Sequence, residues 1–291
     1  MIDMEVNKAV IPAAGFGTRF LPVTKAQPKE MMPVLDKPTI QYVVEEAVES
    51  GIDDILIITG RGKESIVRHF DKSYELEEEL ENAGKTNRLN EVRSISNIAD
   101  IHYVRQRERD GLGDAVMYAK KHVGDSPFAL LLGDTIVESE VPCTKKLIDI
   151  GEKHDKPVVS LERVPEEDVS SYGIADVDSP SMKGEFKVAD FVEKPHRSNA
   201  PSNLAITGRY VLTPQIFTLL EATEPGVGNE LQLTDALRKL PDVMGAELTG
   251  DRFDIGNIPS WLEANAQMAL RHADGKINTA IERIIQESVD D

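Results

Sequence analysis

The sequence predicts an α/β protein: a mostly parallel central sheet flanked by helices, with an added smaller mixed or antiparallel sheet over its ligand-binding edge. Three observations carry this. Short apolar runs alternate with helical periodicities through the first half, a loop of small residues follows the first run, and the texture changes near residue 158. Residues 8–12 read as the first strand. Ile40, Val43, Val44, Ala47 and Val48 then recur at the spacing of one helix face, and Gly51 ends that helix. Residues 54–59 (DILIIT) form a second strand, buried on both faces because its apolar run does not alternate. A helix over 63–70, a strand over 101–104, a helix over 115–122 and a strand over 128–132 complete the first half. Beyond it, 158–161, 173–177, 186–192 and 206–212 are strand-like with turn residues between them. Helices return at 214–220, 233–240 and 259–271. No linker divides residues 1–275, which are expected to form one domain; 276–291 is expected to be a C-terminal amphipathic helix. Its stripe of Ile277, Ala280, Ile281, Ile284 and Ile285 can pack on its own subunit or on a partner.

A chain of 291 residues can bury a large core. Fifty-one acidic against thirty-three basic side chains give a formal charge of −18, a surface that repels nucleic acid and anionic membranes. An anionic substrate must therefore be drawn in by a local cationic cluster. Part of the excess acid lies in Glu75 to Glu81, which reads as a solvated helix face. The one cysteine, Cys143, permits no intrachain disulfide. The N-terminus has no leader pattern and no run approaches a membrane span, so a soluble, cytoplasmic protein is expected.

The most informative stretch is AVIPAAGFGTRFLPVTKAQPKEMMP, residues 9–33. Small residues after a strand let backbone N–H groups approach a ligand, and a concave row of them suits phosphate. Arg19, Lys25 and Lys29 follow closely, as a polyphosphate requires. The dinucleotide fingerprint fails because Phe20 replaces its third glycine, and no P-loop pattern occurs. A Gly-x-Gly alone would be an ordinary tight turn; its continuation into Thr18-Arg19 and Pro28-Lys29-Glu30 favours a triphosphate cradle. Asp134 follows a buried run and a glycine at the sheet's ligand edge, where a carboxylate can hold a hard cation rather than merely close a turn. Asp254, in FDIGN, repeats the pattern. Glu193-Lys194 precede Pro195 at a strand end, either as an exposed ion pair or as ligands for sugar hydroxyls and phosphate. Gln106 and Gly111-Leu112-Gly113 follow the third strand and could read a base edge. There is no metalloprotease spacing of histidines and no G-x-S-x-G, so no hydrolase arrangement is supported.

Taken in order, G-F-G-T-R, P-K-E-M-M-P-V-L-D-K-P, G-L-G-D-A, L-L-G-D-T, V-E-K-P, S-N-L-A-I-T-G-R-Y and N-E-L-Q-L-T-D-A resemble the sugar-1-phosphate nucleotidyltransferases, from about Lys8 to beyond Trp261. Residues 71–98 look like the uridylyltransferase branch rather than the shorter thymidylyltransferases. The resemblance implies a Rossmann-like nucleotide-diphospho-sugar transferase fold, a nucleotide-binding first half and a sugar-binding second half. It implies transfer of a uridylyl group from UTP to glucose 1-phosphate, with Mg²⁺ as cofactor and a homodimer or homotetramer as the assembly. Ala13, Ala14, Gly15, Gly17, Thr18, Lys25, Glu30, Gln106 and Gly111 would surround the nucleotide. Arg19 and Lys29 would hold its triphosphate, and Asp134 and Asp254 would bind the metal. Gly173 and Glu193 would fix the glucose and Lys194 its phosphate. One departure is Asp114, where the branch usually carries histidine, which bears on base or ribose contacts. Alternatives are a thymidylyltransferase, another sugar-1-phosphate nucleotidyltransferase, or a non-catalytic nucleotide-sugar-binding regulatory relative.

Overall fold

The computed structural model describes residues 4–178 and 184–272, together with Arg283. Strand β1 (Lys8–Pro12) leads through the glycine loop and short 3₁₀ turns to the two-residue strands β2 (Pro33–Val34) and β3 (Lys37–Pro38), then helix α1 (Thr39–Glu49). Strand β4 (Asp54–Thr59) is followed by α2 (Glu64–Phe70), α3 (Tyr74–Asn82) and α4 (Thr86–Ser96). Next come β5 (Asp100–Arg105), α5 (Leu112–Met117), α6 (Lys120–Val123) and β6 (Phe128–Leu131). The single helix expected over 115–122 is thus two short ones. The hairpin of α3 and α4 accommodates the acidic run: nothing in α3 is buried.

Strands β5, β4, β1 and β6 pair in that order, all parallel. In chain order this is third, second, first, fourth, so the sheet reverses direction between β1 and β6. Loops leaving the carboxyl ends of these two strands diverge there and open a crevice. Both faces are covered. Val10, Leu56, Ile58 and Leu130 pack to one side, whereas Ala9, Ile11, Ile55, Ile57, Ala129 and Leu131 pack to the other, as the two-residue period of a strand requires. Helix α1 and helix α7 (Cys143–His154) lie on the second side.

The second half contains β7 (Thr135–Glu138), β8 (Val158–Arg163), β9 (Gly173–Val177), β10 (Glu185–Glu193) and β11 (Leu204–Leu212). Helices α8 (Gln215–Glu221) and α9 (Leu233–Leu237), strands β12 (Met244–Glu247) and β13 (Asp251–Asp254), and helix α10 (Ile258–His272) complete it. A separate small sheet over the ligand edge was the expectation; instead the main sheet itself continues. It runs β6-β11-β8-β12-β10-β9, nine strands in all, and β9 pairs back onto β11 at Ile174 and Ala205. The cause is β11. All nine of its residues are buried, and Gly208, with φ of 87°, interrupts the register between Ile206 and Tyr210. The bend lets one end of β11 pair with β6 and the other close a five-stranded ring. Strands β7 and β13 form a separate antiparallel ribbon. No helix among the described residues is long and apolar enough to cross a membrane. Apart from Arg283, the expected helix over 276–291 and its isoleucine stripe lie outside the described residues.

Candidate active site

Two cavities adjoin at the sheet's reversal point. The larger, about 560 Å³, is lined by Ala14, Gly15, Lys29, Glu30, Gln106, Gly111 and Asp134 from the expected set. The smaller, about 230 Å³, is lined by Arg19, Gly173, Glu193, Asp134 and Asp254. Asp134 borders both, with Leu112 and Leu132.

The glycine loop begins where the Ala13 N–H donates to the Ile58 carbonyl at 2.8 Å. That bond commits the Ala13 N–H to the sheet, so the backbone available to a ligand starts at Ala14. Gly17 sits at φ 65°, and a Cβ there would lie 3.0 Å from Lys29 Cβ. Only glycine tolerates both the left-handed turn and that approach. The turn brings Lys29 back under the loop, where its ammonium bonds the Asp134 carboxylate.

Asp134 follows β6. Gly133 precedes it, and a Cβ on Gly133 would lie 3.0 Å from the Pro12 carbonyl oxygen, so the two strand-end loops pack backbone to backbone. Strand β13 delivers the second carboxylate: Thr135 and Asp254 are register partners, and the Ile255 N–H donates to the Asp134 carbonyl at 2.8 Å. Asp134 and Asp254 are thus carried side by side from chain segments far apart in sequence.

The charges of these groups are interlocked. Burial works against the Lys29 ammonium, but Asp134, Glu30 and Asp254 outweigh it and raise its pKa. Burial likewise opposes ionisation of Asp134, yet Lys29 holds that carboxyl below its usual range. Asp254 is pushed the other way, by burial and by the charge of Asp134, against Arg252, Lys29 and Arg19. Two carboxylates that repel each other beside a crevice suit a hard divalent cation, which takes carboxylate oxygens together with phosphate oxygens. Beneath the larger cavity Lys63 Nζ donates to Glu30 Oε2 at 2.6 Å, in a pair 5% and 1% exposed. Burial dominates both partners, raising Glu30 and lowering Lys63.

In the smaller cavity Thr234 Oγ1 donates to Glu193 Oε2 at 2.6 Å, fixing a carboxylate at the end of β10. Glu193 pairs with Gly173, where a Cβ would lie 3.2 Å from Glu193 Oε2. Lys194 lines neither cavity. Its ammonium is 3.6 Å from Glu193 Oε1 at the rim, on backbone held at φ 44° by an N–H bond to the Tyr172 carbonyl. Ala13, Gly17, Thr18 and Lys25 also line neither cavity, and Thr18 and Lys25 are exposed.

Sequence reasoning missed several lining groups. Arg109 Nε donates to the Ala14 carbonyl at 2.8 Å and its guanidinium lies 3.6 Å from the centre of the Phe16 ring, bridging two loops of the larger cavity. Arg252 lines the smaller one, 10% exposed, with Nη1 at 3.8 Å from Asp254 Oδ2. Nothing in RQRERD singles out Arg109 from its neighbours, although DRFD does place Arg252 beside a recognised carboxylate.

A parallel sheet that opens at its reversal point between a glycine loop, lysine and paired carboxylates is the arrangement of a nucleotide-handling transferase. The nucleotidyl transferase family model matches residues 8–271, and the chain belongs to that family. A UTP–glucose-1-phosphate uridylyltransferase of Bacillus subtilis (strain 168) is 51% identical over 271 residues, covering 92% of each chain. One from Staphylococcus epidermidis is 50% identical over 272 residues, covering 92% of this chain and 93% of its own. Among solved structures, a UTP-bound UGPase from Acinetobacter baumannii superposes with a TM-score of 0.87 at 39% identity, over 97% of this chain and 99% of its own.

Proposed function

We propose that the protein transfers a uridylyl group from UTP to glucose 1-phosphate, releasing pyrophosphate and forming UDP-glucose. The observation that carries this is the meeting of two cavities at Asp134, one built on the glycine loop and one on Glu193, within a chain half identical to uridylyltransferases. In this reading the larger cavity takes the nucleotide and the smaller one the sugar phosphate.

A phosphate oxygen of the sugar attacks the α-phosphorus in line; the bond to the β-phosphate oxygen breaks and pyrophosphate leaves. The attacking oxygen is already ionised, so no protein nucleophile or base is required. The work is positioning and charge neutralisation. Two unit charges ~4 Å apart at an effective dielectric of ~20 repel by about 4 kcal/mol, roughly a thousandfold in rate. Lys29 offsets the triphosphate charge in the larger cavity, Arg19 offsets phosphate charge from the wall of the smaller one near Asp254, Glu193 accepts from sugar hydroxyls, and Lys194 reaches the sugar phosphate from the rim. Asp134 and Asp254 would hold a divalent cation, Mg²⁺ in this reading, which when bound supplies further neutralisation of the phosphates.

Incubation with UTP, dTTP or CTP plus glucose 1-phosphate, followed by pyrophosphate release, tests the assignment. UTP is expected to be consumed fastest; no turnover with UDP-glucose binding intact would favour a regulatory relative. Asp134→Asn is expected to lower kcat by more than about a hundredfold and to raise the Mg²⁺ requirement. Unchanged turnover at limiting Mg²⁺ would remove Asp134 from the metal site.

A further inference from the structure

We propose that Asp114 is a positioning residue that fixes the amide of Gln106 and so selects a nucleobase bearing an imino N–H over cytosine. The proposal rests on the reading that the larger cavity takes the nucleotide.

Gln106 directly follows β5, its N–H bonded to the Thr59 carbonyl at 2.9 Å, and its side chain is buried against the cavity. Gln106 Nε2 donates to Asp114 Oδ2 at 2.6 Å. The two ends of a glutamine amide have nearly the same shape, so its orientation is set by its partners. An aspartate carboxylate only accepts. It therefore turns the NH₂ group toward itself and leaves the carbonyl Oε1, which has no protein partner among the described residues, to the cavity.

Asp114 is itself anchored. It lies in the first turn of α5, which is locked to a neighbouring loop by Gly113 N–H to the Leu231 carbonyl at 2.8 Å and Leu231 N–H to the Asp110 carbonyl at 2.6 Å. A Cβ at Gly111 or Gly113 would lie 2.7 Å from the Leu231 carbonyl oxygen, so the contact is as close as backbone permits. The backbone that carries the orienting carboxylate is thus held independently of the side chain it orients.

A carbonyl held at that position accepts from the N3–H of uracil or thymine. Cytosine offers a lone pair at N3 instead, and two acceptors then face each other. Sites built to hydrogen-bond one group reject the analogue lacking it far more strongly than apolar pockets reject a size change.

The test compares kcat/KM for UTP and CTP at fixed glucose 1-phosphate in the wild type, Asp114→Asn and Asp114→Glu. Asparagine can donate or accept, which frees the Gln106 amide to turn over. The UTP-to-CTP preference should fall at least about tenfold in Asp114→Asn, with KM for glucose 1-phosphate unchanged. Glutamate keeps an acceptor-only group and should retain more of the preference. An unchanged ratio, or equal losses for both nucleotides, would overturn the role of Asp114. A wild type that does not use UTP at all would instead overturn the nucleotide reading, before any variant is made.

Discussion

Lys25 and Lys29 belong to one short stretch of chain yet meet different surroundings. Lys29 turns inward to Asp134, whereas Lys25, on its own 3₁₀ turn, is exposed and lines neither cavity. Residue type and proximity flagged both; only the left-handed turn at Gly17, which folds the chain back, distinguishes them. Asp134 was legible because a carboxylate after a buried strand and a glycine must sit at the sheet's ligand edge. Arg109 was not, since the Ala14 carbonyl it reaches belongs to a loop distant in sequence. Lys194 tests how far motif reasoning extends. Its positive φ, shared with Leu35, Asp155, Asn229 and Asp242, is a conformation that few non-glycine residues adopt. Lys194→Ala is expected to raise KM for glucose 1-phosphate, or to lower kcat, several-fold with little change in KM for UTP. Steady-state kinetics in both substrates decide it, and an effect confined to UTP would reject the assignment.

Buried parallel strands announce themselves, because both faces must be apolar; β1 and β4 were accordingly readable from their own residues. Strand β13 was not. Asp-Arg-Phe-Asp has no strand pattern, and it becomes one through pairing with β7. Helix α7 was also missed, although Leu147, Ile148 and Ile150 bury one side of it. Its N-terminus joins a network that no local pattern could disclose. Arg209 of β11, fully buried, donates to Glu46 of α1 through Nε and Nη2, while Thr144 of α7 donates to the same carboxylate. The guanidinium also donates to the carbonyls of Leu132 at 3.3 Å and Thr135 at 2.7 Å, on either side of Asp134. The Arg209–Glu46 pair therefore braces two helices and the loop that carries the carboxylate. Arg209→Met would leave Glu46 buried without its partner and is expected to cost about 3–5 kcal/mol. Glu46→Gln in the same chain should recover part of that. Urea denaturation of both variants checks it; a single variant within about 0.5 kcal/mol of wild type would contradict the account.

At the scale of the molecule, a net charge of −18 surrounds a crevice whose walls set Arg19, Lys29, Arg109 and Arg252 among the carboxylates of Glu30, Asp134, Glu193, Glu230 and Asp254. The long-range field repels anionic substrates, and only contact with those four cations attracts them. Salt screens the first more than the second, because the Debye length shrinks from ~30 Å at 0.01 M to ~8 Å at 0.15 M. kcat/KM for UTP at fixed free Mg²⁺ is therefore expected to rise over that range; a steep fall would mean that the local cations dominate at long distance. The ring formed by β11, β8, β12, β10 and β9 has a separate bearing on how copies of the chain coexist. An ordinary open sheet offers a fringe of unmated amides and carbonyls on two flanks, each a template for a stray strand. Here one flank is sewn shut upon itself. The other, β5, projects Asp100, His102 and Arg105 toward solvent, polar sentries against stacking of one molecule onto the next.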